Sequence, residues 1–287
     1  MHVRTGLVQL QIRTNRTEDN LGRAAEYVRA AAARGCQLVV LPEAFSTGLN
    51  LPKSRQCAVK IPGPGLEWLS ALTAELKIHL VAGILEEDNG AVYSSIVLIN
   101  DRGTLLHTYR RMNIYDLEAY FLSPGRECRV INTDLGRIGI IAGYDIQFPE
   151  TFRLLFAQGV EIAVCPSLLL RPFAESIRQM AVARAAENCC YVLFCSATGE
   201  NTLAGLTYMG NSMILQSPMG IRPYSQEFRR QEPFLAETRA EEGLLVNDLD
   251  LAMLRRLQAA NPLFRDFKRS GFFNCMPPGH QTWDVSS

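Results

Sequence analysis

Apolar positions recur along the whole chain in two periods, and the period switches many times. Residues 3–12 alternate apolar and polar, as a half-buried strand does. Leu21, Ala24, Ala25, Val28, Ala31 and Ala32 then share one helical face, with Gly35 placed for a C-terminal cap. The unbroken run Leu38-Val39-Val40-Leu41 marks a strand covered on both faces, and it stops at Pro42-Glu43. A turn cluster at 61–65 precedes a helix over 66–76, strands over 79–85 and 92–99, a hairpin turn at 101–103 and a strand over 105–109. A polar, aromatic loop fills 113–124. Strands follow at 128–132 and 138–142, then a helix from Pro149 to about 158 with Gly159 past its end. A strand at 161–165, an alanine-rich helix over 172–188 and a buried strand at 191–195 complete the repeated strand–helix units. Short strands at 211–215 and 244–248 precede a tail containing Pro262, Pro277 and Pro278. Such alternation predicts an α/β layered fold.

Composition narrows the function classes. Twenty-nine basic residues balance 29 acidic ones, which gives no basic face for nucleic acid or an acidic membrane. No apolar stretch approaches the roughly 20 residues of a membrane span, and the first residues carry no secretory h-region. Eight cysteines lie mostly in or beside apolar runs, as reduced thiols of a cytoplasmic protein do. The four histidines are scattered and no Cys-x-x-Cys occurs, so no metal site is expected. No glycine-rich phosphate loop opens a helix, so no nucleotide cofactor is expected either.

Three strand ends carry candidate chemistry. In Leu41-Pro-Glu-Ala-Phe-Ser-Thr-Gly48, Glu43 lies just past a buried strand, where α/β sheets place ligand sites, although a loop-capping carboxylate fits that position equally well. In Tyr109-Arg-Arg-Met-Asn-Ile-Tyr-Asp116, consecutive arginines alternate faces, so only one of Arg110 and Arg111 points inward. In residues 136–150 a small-residue strand runs into a sharp turn and a helix opened by Pro149. That is the geometry of a nucleophile elbow, but its exposed position is Gly143, which has no side chain.

Taken together and in this order, the segments resemble the nitrilase superfamily of carbon–nitrogen hydrolases. Arg184-Ala-Ala-Glu-Asn188, Gly210-Asn-Ser212, Ser217-Pro-Met-Gly220 and Glu242-Gly-Leu-Leu-Val246 add to the resemblance, which reaches Asp266-Phe-Lys. It implies a four-layer α-β-β-α sandwich spanning 1–270 as one domain, with 271–287 as a tail at a subunit interface. It also implies a glutamate base, a lysine and a cysteine nucleophile that cleave non-peptide C–N bonds. The glutamate falls on Glu43, the lysine on Arg111 and the cysteine on Gly143; Tyr109, Tyr144 and Asp145 match. A second, substrate-positioning glutamate falls on Glu118. Asn113 replaces a usual histidine, and Ser196 a usual asparagine.

Thiolate attack needs a sulfur that glycine lacks. Cys128 and Cys165 sit in strands, off the elbow. The room left at Gly143 suits the longer, forked guanidinium of Arg111, which is expected to meet Glu43 there or to capture a ligand anion. The reading is a protein acting non-covalently on a small amide-, amine- or carboxylate-bearing metabolite, with Glu43 as base and Arg111 as electrophile or anion binder. An inactive binding or assembly protein is the first alternative and a residual water-mediated amidase the second. The crowded apolar face of the helix after the elbow (Phe152, Leu154, Leu155, Phe156), the alanines of the long helix and the aromatic tail point to a homodimer or higher homo-oligomer.

Overall fold

The computed structural model describes residues 1–201, 205–218 and 232–269. In chain order, the first half comprises β1 (His2–Gln9), α1 (Thr17–Ala33), β2 (Leu38–Val40), α2 (Ser54–Cys57), α3 (Pro64–Leu76), β3 (His79–Asp88), β4 (Ala91–Ile99) and β5 (Leu105–Arg110). Next come β6 (Val130–Thr133), β7 (Gly136–Ile140), α4 (Pro149–Ala157), β8 (Ile162–Ser167), α5 (Ala174–Asn188) and β9 (Tyr191–Ser196). The chain continues through the hairpin β10 (Glu200–Asn201) and β11 (Leu206–Thr207), then β12 (Met213–Leu215), β13 (Phe234–Glu237), β14 (Gly243–Asp250), α6 (Leu251–Ala260) and α7 (Pro262–Arg269).

Two six-stranded mixed sheets hold most of these strands, in the orders β14-β1-β2-β3-β4-β5 and β13-β12-β9-β8-β7-β6. Each has three adjacent parallel strands, β1-β2-β3 in one and β7-β8-β9 in the other, flanked by antiparallel ones. The pleat sorts side chains into layers. Leu38 and Val40 enter the core shared with Ile138, Ile140 and Val164 of the opposite sheet. Val39 and Leu41, on the other face of the same strand, join Val28 of α1 and Leu69 of α3. Outside the second sheet, α4 and α5 contribute Phe152, Leu155, Ile177 and Ala181. The result is the four-layer α-β-β-α sandwich expected from the sequence.

The structure departs from the sequence reading at several boundaries. A 3-10 turn over Gly143–Gln147 stands between β7 and α4, and another over Arg171–Phe173 precedes α5. Helices α6 and α7 and strands β10, β11 and β13 were not predicted. The Asp250 side chain caps α6 by accepting the Met253 N–H at 3.0 Å. Pro262 opens α7 and interrupts nothing, because the first turn of a helix needs no proline N–H. The apolar crowding on α4 also has an internal explanation. Phe152, Leu154, Leu155 and Phe156 are all buried within the chain, and the Phe156 ring meets Phe267 of α7 at 4.9 Å between centroids. Those four side chains are therefore packed within the chain itself. The tail at 271–287 and the residues Met219 and Gly220 lie outside the described residues. Among the described residues no helix is long and apolar enough to cross a membrane.

One glycine decides where Glu43 stands. A Cβ on Gly83 of β3 would collide with the Glu43 Cα and lie 2.7 Å from the Pro42 carbonyl oxygen, both backbone atoms that cannot swing away. The missing side chain lets residues 42–45 run against β3, tied by the Gly83 N–H to the Pro42 carbonyl and the Phe45 N–H to the Gly83 carbonyl, each at 3.2 Å. Gly83→Ala is expected to destabilise the fold by about 1–3 kcal/mol through overpacking. A drop in the urea midpoint at unchanged slope measures it; an unchanged midpoint contradicts this view of the turn.

Candidate active site

β2, β5 and β7 all release the chain at one edge of the two-sheet stack. Glu43 follows β2, Arg111 follows β5 and Gly143 follows β7. Glu43 and Arg111 are each 3% exposed. The Glu43 Oε1 accepts the Ser94 hydroxyl at 2.5 Å and the Arg111 Nη1–H at 2.9 Å. Arg111 Nη2 pairs with Glu118 Oε2, which also accepts the Tyr115 backbone N–H at 3.1 Å. The guanidinium thus lies between two carboxylates, with its Nε buried and without a partner among the described residues. Burial by itself disfavours the charged guanidinium, but the charges of Glu43, Glu118 and Asp145 outweigh it and raise the Arg111 pKa above its ordinary value. Burial raises Glu118 above the usual carboxylate range despite the opposing pull of Arg111.

Arg110 takes the other face of the strand end. It donates to Glu86 at 2.5 and 2.9 Å and to Asp88 at 2.8 Å, over the ring of Tyr93. The alternation of the two arginines is therefore as the sequence requires.

The elbow is held from beneath. Gly143 opens its 3-10 turn at φ +38°, a conformation side-chain-bearing residues rarely adopt. Asp145, fully buried, accepts the Tyr109 O–H at 2.7 Å, the Asn113 N–H and Nδ2–H at 2.9 and 2.8 Å, and the Ala142 N–H at 3.2 Å. Burial raises the Asp145 carboxyl and these hydrogen bonds oppose the rise; Tyr109 is pushed well above its ordinary value by burial and then by the Asp145 charge. Tyr144 points elsewhere, its ring edge-on to Tyr115 at 5.0 Å and to Phe148 at 5.2 Å.

The sequence reading puts the Arg111 guanidinium in the room at Gly143. Arg111 does meet Glu43, but it is the Glu43 carboxylate that fills that room, because Ser94 and Arg111 both hold Oε1 and turn Oε2 to the elbow. A Cβ on Gly143 would meet Glu43 Oε2 at well under 3.0 Å, with Arg111 Nη1 3.8 Å away. Oε1 is occupied by Ser94 and Arg111, so Oε2 alone faces the elbow. Neither nearby thiol competes: Cys165 is fully buried and raised well above its ordinary value by burial, and Cys128 is raised by the same cause. Ser196 is also absent from the constellation; its hydroxyl donates to the Ala197 carbonyl at 3.1 Å.

Sequence reasoning missed Ser94. Besides holding Glu43, its carbonyl accepts the Arg111 backbone N–H at 2.8 Å, so one residue of β4 fixes acid and base relative to each other. The available signal was a polar pair, Ser94-Ser95, inside an otherwise apolar strand; Ser95, on the opposite face, binds Glu86 at 2.6 Å.

A carbon–nitrogen hydrolase family model matches residues 4–259. The omega-amidase NIT2 of Homo sapiens is 30% identical over 283 residues, covering 94% of this chain and 96% of that protein. The crystal structure of Saccharomyces cerevisiae Nit3, a nitrilase-superfamily member, superposes with a TM-score of 0.80 at 26% identity, over 91% of this chain and 95% of that one. A variant of the amidase from Nesterenkonia sp. AN1, with the acetamide moiety of fluoroacetamide added covalently at its active site cysteine, superposes with a TM-score of 0.75 at 23% identity, over 92% and 97%.

The crowding above Gly143 is testable by coupling. Gly143→Ala is expected to cost about 1–3 kcal/mol, and less when Glu43→Ala removes the carboxylate, leaving only the backbone strain. Strictly additive losses in a thermal-melt double-mutant cycle contradict the placement of Glu43.

Proposed function

The chain belongs to the carbon–nitrogen hydrolase family, and we propose that it hydrolyses a small amide by direct attack of water, with Glu43 as general base and no covalent intermediate. The observation that carries this reading is the position of Glu43 Oε2, which occupies the space above Gly143 while Ser94 and Arg111 hold its sister oxygen. In the variant of the Nesterenkonia amidase, the acetamide moiety of fluoroacetamide is added covalently at an active site cysteine. Here the elbow offers none, and the buried neutral thiols of Cys128 and Cys165 do not replace it.

The steps balance on this chain's own residues. Glu43 Oε2 takes a proton from water as the oxygen adds to the amide carbonyl carbon. Arg111 Nη1, 3.8 Å from the point a Cβ would occupy, places positive charge beside the oxyanion that forms. Glu43 then returns the proton to the amide nitrogen, the C–N bond breaks, and ammonia or an amine leaves with a carboxylic acid as the other product. Asp145 keeps the elbow in place through Ala142 and Asn113. Each terminal nitrogen of Arg111 already holds a protein carboxylate, which supports a polarising role over capture of a ligand anion. An inactive scaffold has no chemical need for Ser94, Arg111 and the elbow to converge on one carboxylate.

Ammonia release from a panel of small primary amides tests this. Turnover is expected to survive alkylation of accessible thiols by iodoacetamide, and Glu43→Gln is expected to lower it about 10²- to 10⁴-fold while the fold persists by circular dichroism. Turnover abolished by alkylation, or indifferent to Glu43→Gln, sinks the mechanism.

A further inference from the structure

The exposed large apolar side chains among the described residues are not scattered. They are Met1, Tyr115, Leu117, Tyr120, Phe121, Phe173 and Leu206, and four of the seven lie between 115 and 121. Phe173 packs on Tyr115 with ring centroids 6.5 Å apart, and Tyr115 stands edge-on to Tyr144 at 5.0 Å. These three rings form a wall joined to the reacting centre at two points. Tyr144 directly follows Gly143, and the Tyr115 N–H donates to the Glu118 carboxylate that pairs with Arg111. Tyr115 and Phe173 remain 43% and 39% exposed, so the described residues leave part of this aromatic surface beside the elbow uncovered.

The charge of the site points the same way. Three carboxylates, Glu43, Glu118 and Asp145, surround one guanidinium, and both terminal nitrogens of that guanidinium are engaged. Arg110 faces away, bound to Glu86 and Asp88, and Arg184 is committed to Glu187 and to the Ile146 and Gln147 carbonyls. Arg171, two residues from Phe173, is exposed, where water and salt screen it. A second carboxylate on a substrate would meet three carboxyl groups already gathered there, and the buried arginines among the described residues, Arg111 and Arg184, are both committed to protein partners.

We propose that the substrate's non-reacting part is uncharged and aromatic or aliphatic, stacked on Tyr115, Tyr144 and Phe173, and that amides bearing a distal carboxylate are excluded. This rests on the amide reading of the site and narrows its substrate class. Apolar and aromatic contact with the wall supplies affinity, while the carboxylates beneath supply the discrimination.

Calorimetric titration with two amides of similar size, phenylacetamide and succinamic acid, tests the proposal in parallel with ammonia release. Phenylacetamide is expected to bind, and to bind roughly three- to tenfold more weakly to Phe173→Ala and to Tyr115→Ala, as loss of an aromatic contact predicts. Succinamic acid is expected to bind at least tenfold more weakly than phenylacetamide. Phenylacetamide that fails to bind, succinamic acid that binds as tightly, or ring variants that bind phenylacetamide unchanged overturn the proposal. Binding with the expected preference but no ammonia supports the substrate class and removes the hydrolytic reading. Glu43-dependent turnover of succinamic acid in preference to phenylacetamide does the reverse.

Discussion

The buried ion pair between Glu43 and Arg111 constrains everything around it, because neither charge survives alone at 3% exposure. An isolated ion in such surroundings costs several kcal/mol even after relaxation, so each partner requires the other and further hydrogen bonds for its remaining atoms. Ser94 adds a second hydrogen bond to the Glu43 oxygen that Arg111 holds, Glu118 takes the other terminal nitrogen of Arg111, and Glu43 Oε2 is left facing the elbow. The backbone yields to the same demand at two places. Gly83 lets the Glu43 turn lie against β3, and Gly143 leaves the elbow bare so that a carboxylate oxygen can stand over it. Arginine at 111 belongs to the same set: its planar fork spans two carboxylates at once, which the single ammonium of a lysine does with less directional control.

Much of this arrangement was legible in the sequence because it follows from periodicity and strand ends. The apolar run 38–41 ending at Pro42-Glu43 fixed the edge at which Glu43 leaves the sheet, and the alternation of Arg110 and Arg111 required one inward guanidinium. The strand–turn pattern around Gly143 gave the elbow. Ser94 was not legible, since its partner comes from a different strand 51 residues away and a serine in a strand carries no mark of what faces it. Which group fills the space at Gly143 was also hidden, because the answer turns on sub-ångström crowding between Glu43 and a missing Cβ. Helices α6 and α7 escaped because the stretch after the strand at 244–248 was read as a tail, and without α7 the sequence offered no partner within the chain for Phe156.

The same constraints shape what reaches the site. Both terminal nitrogens of the guanidinium are held by protein carboxylates, and the side chains gathered beside the elbow are the rings of Tyr115, Tyr144 and Phe173. Tyr115 is tied by its backbone N–H to the Glu118 carboxylate, which links the wall to the ion-pair network.

Attack on the amide by water that Glu43 activates forms no acyl-enzyme. Pre-steady-state ammonia release, read together with intact-protein mass in quenched samples, tests it most directly. The account predicts linear release from the first turnover, with the protein mass unchanged at 32.0 kDa throughout. A burst of one equivalent of ammonia, accompanied by a mass gain equal to the acyl group, contradicts it.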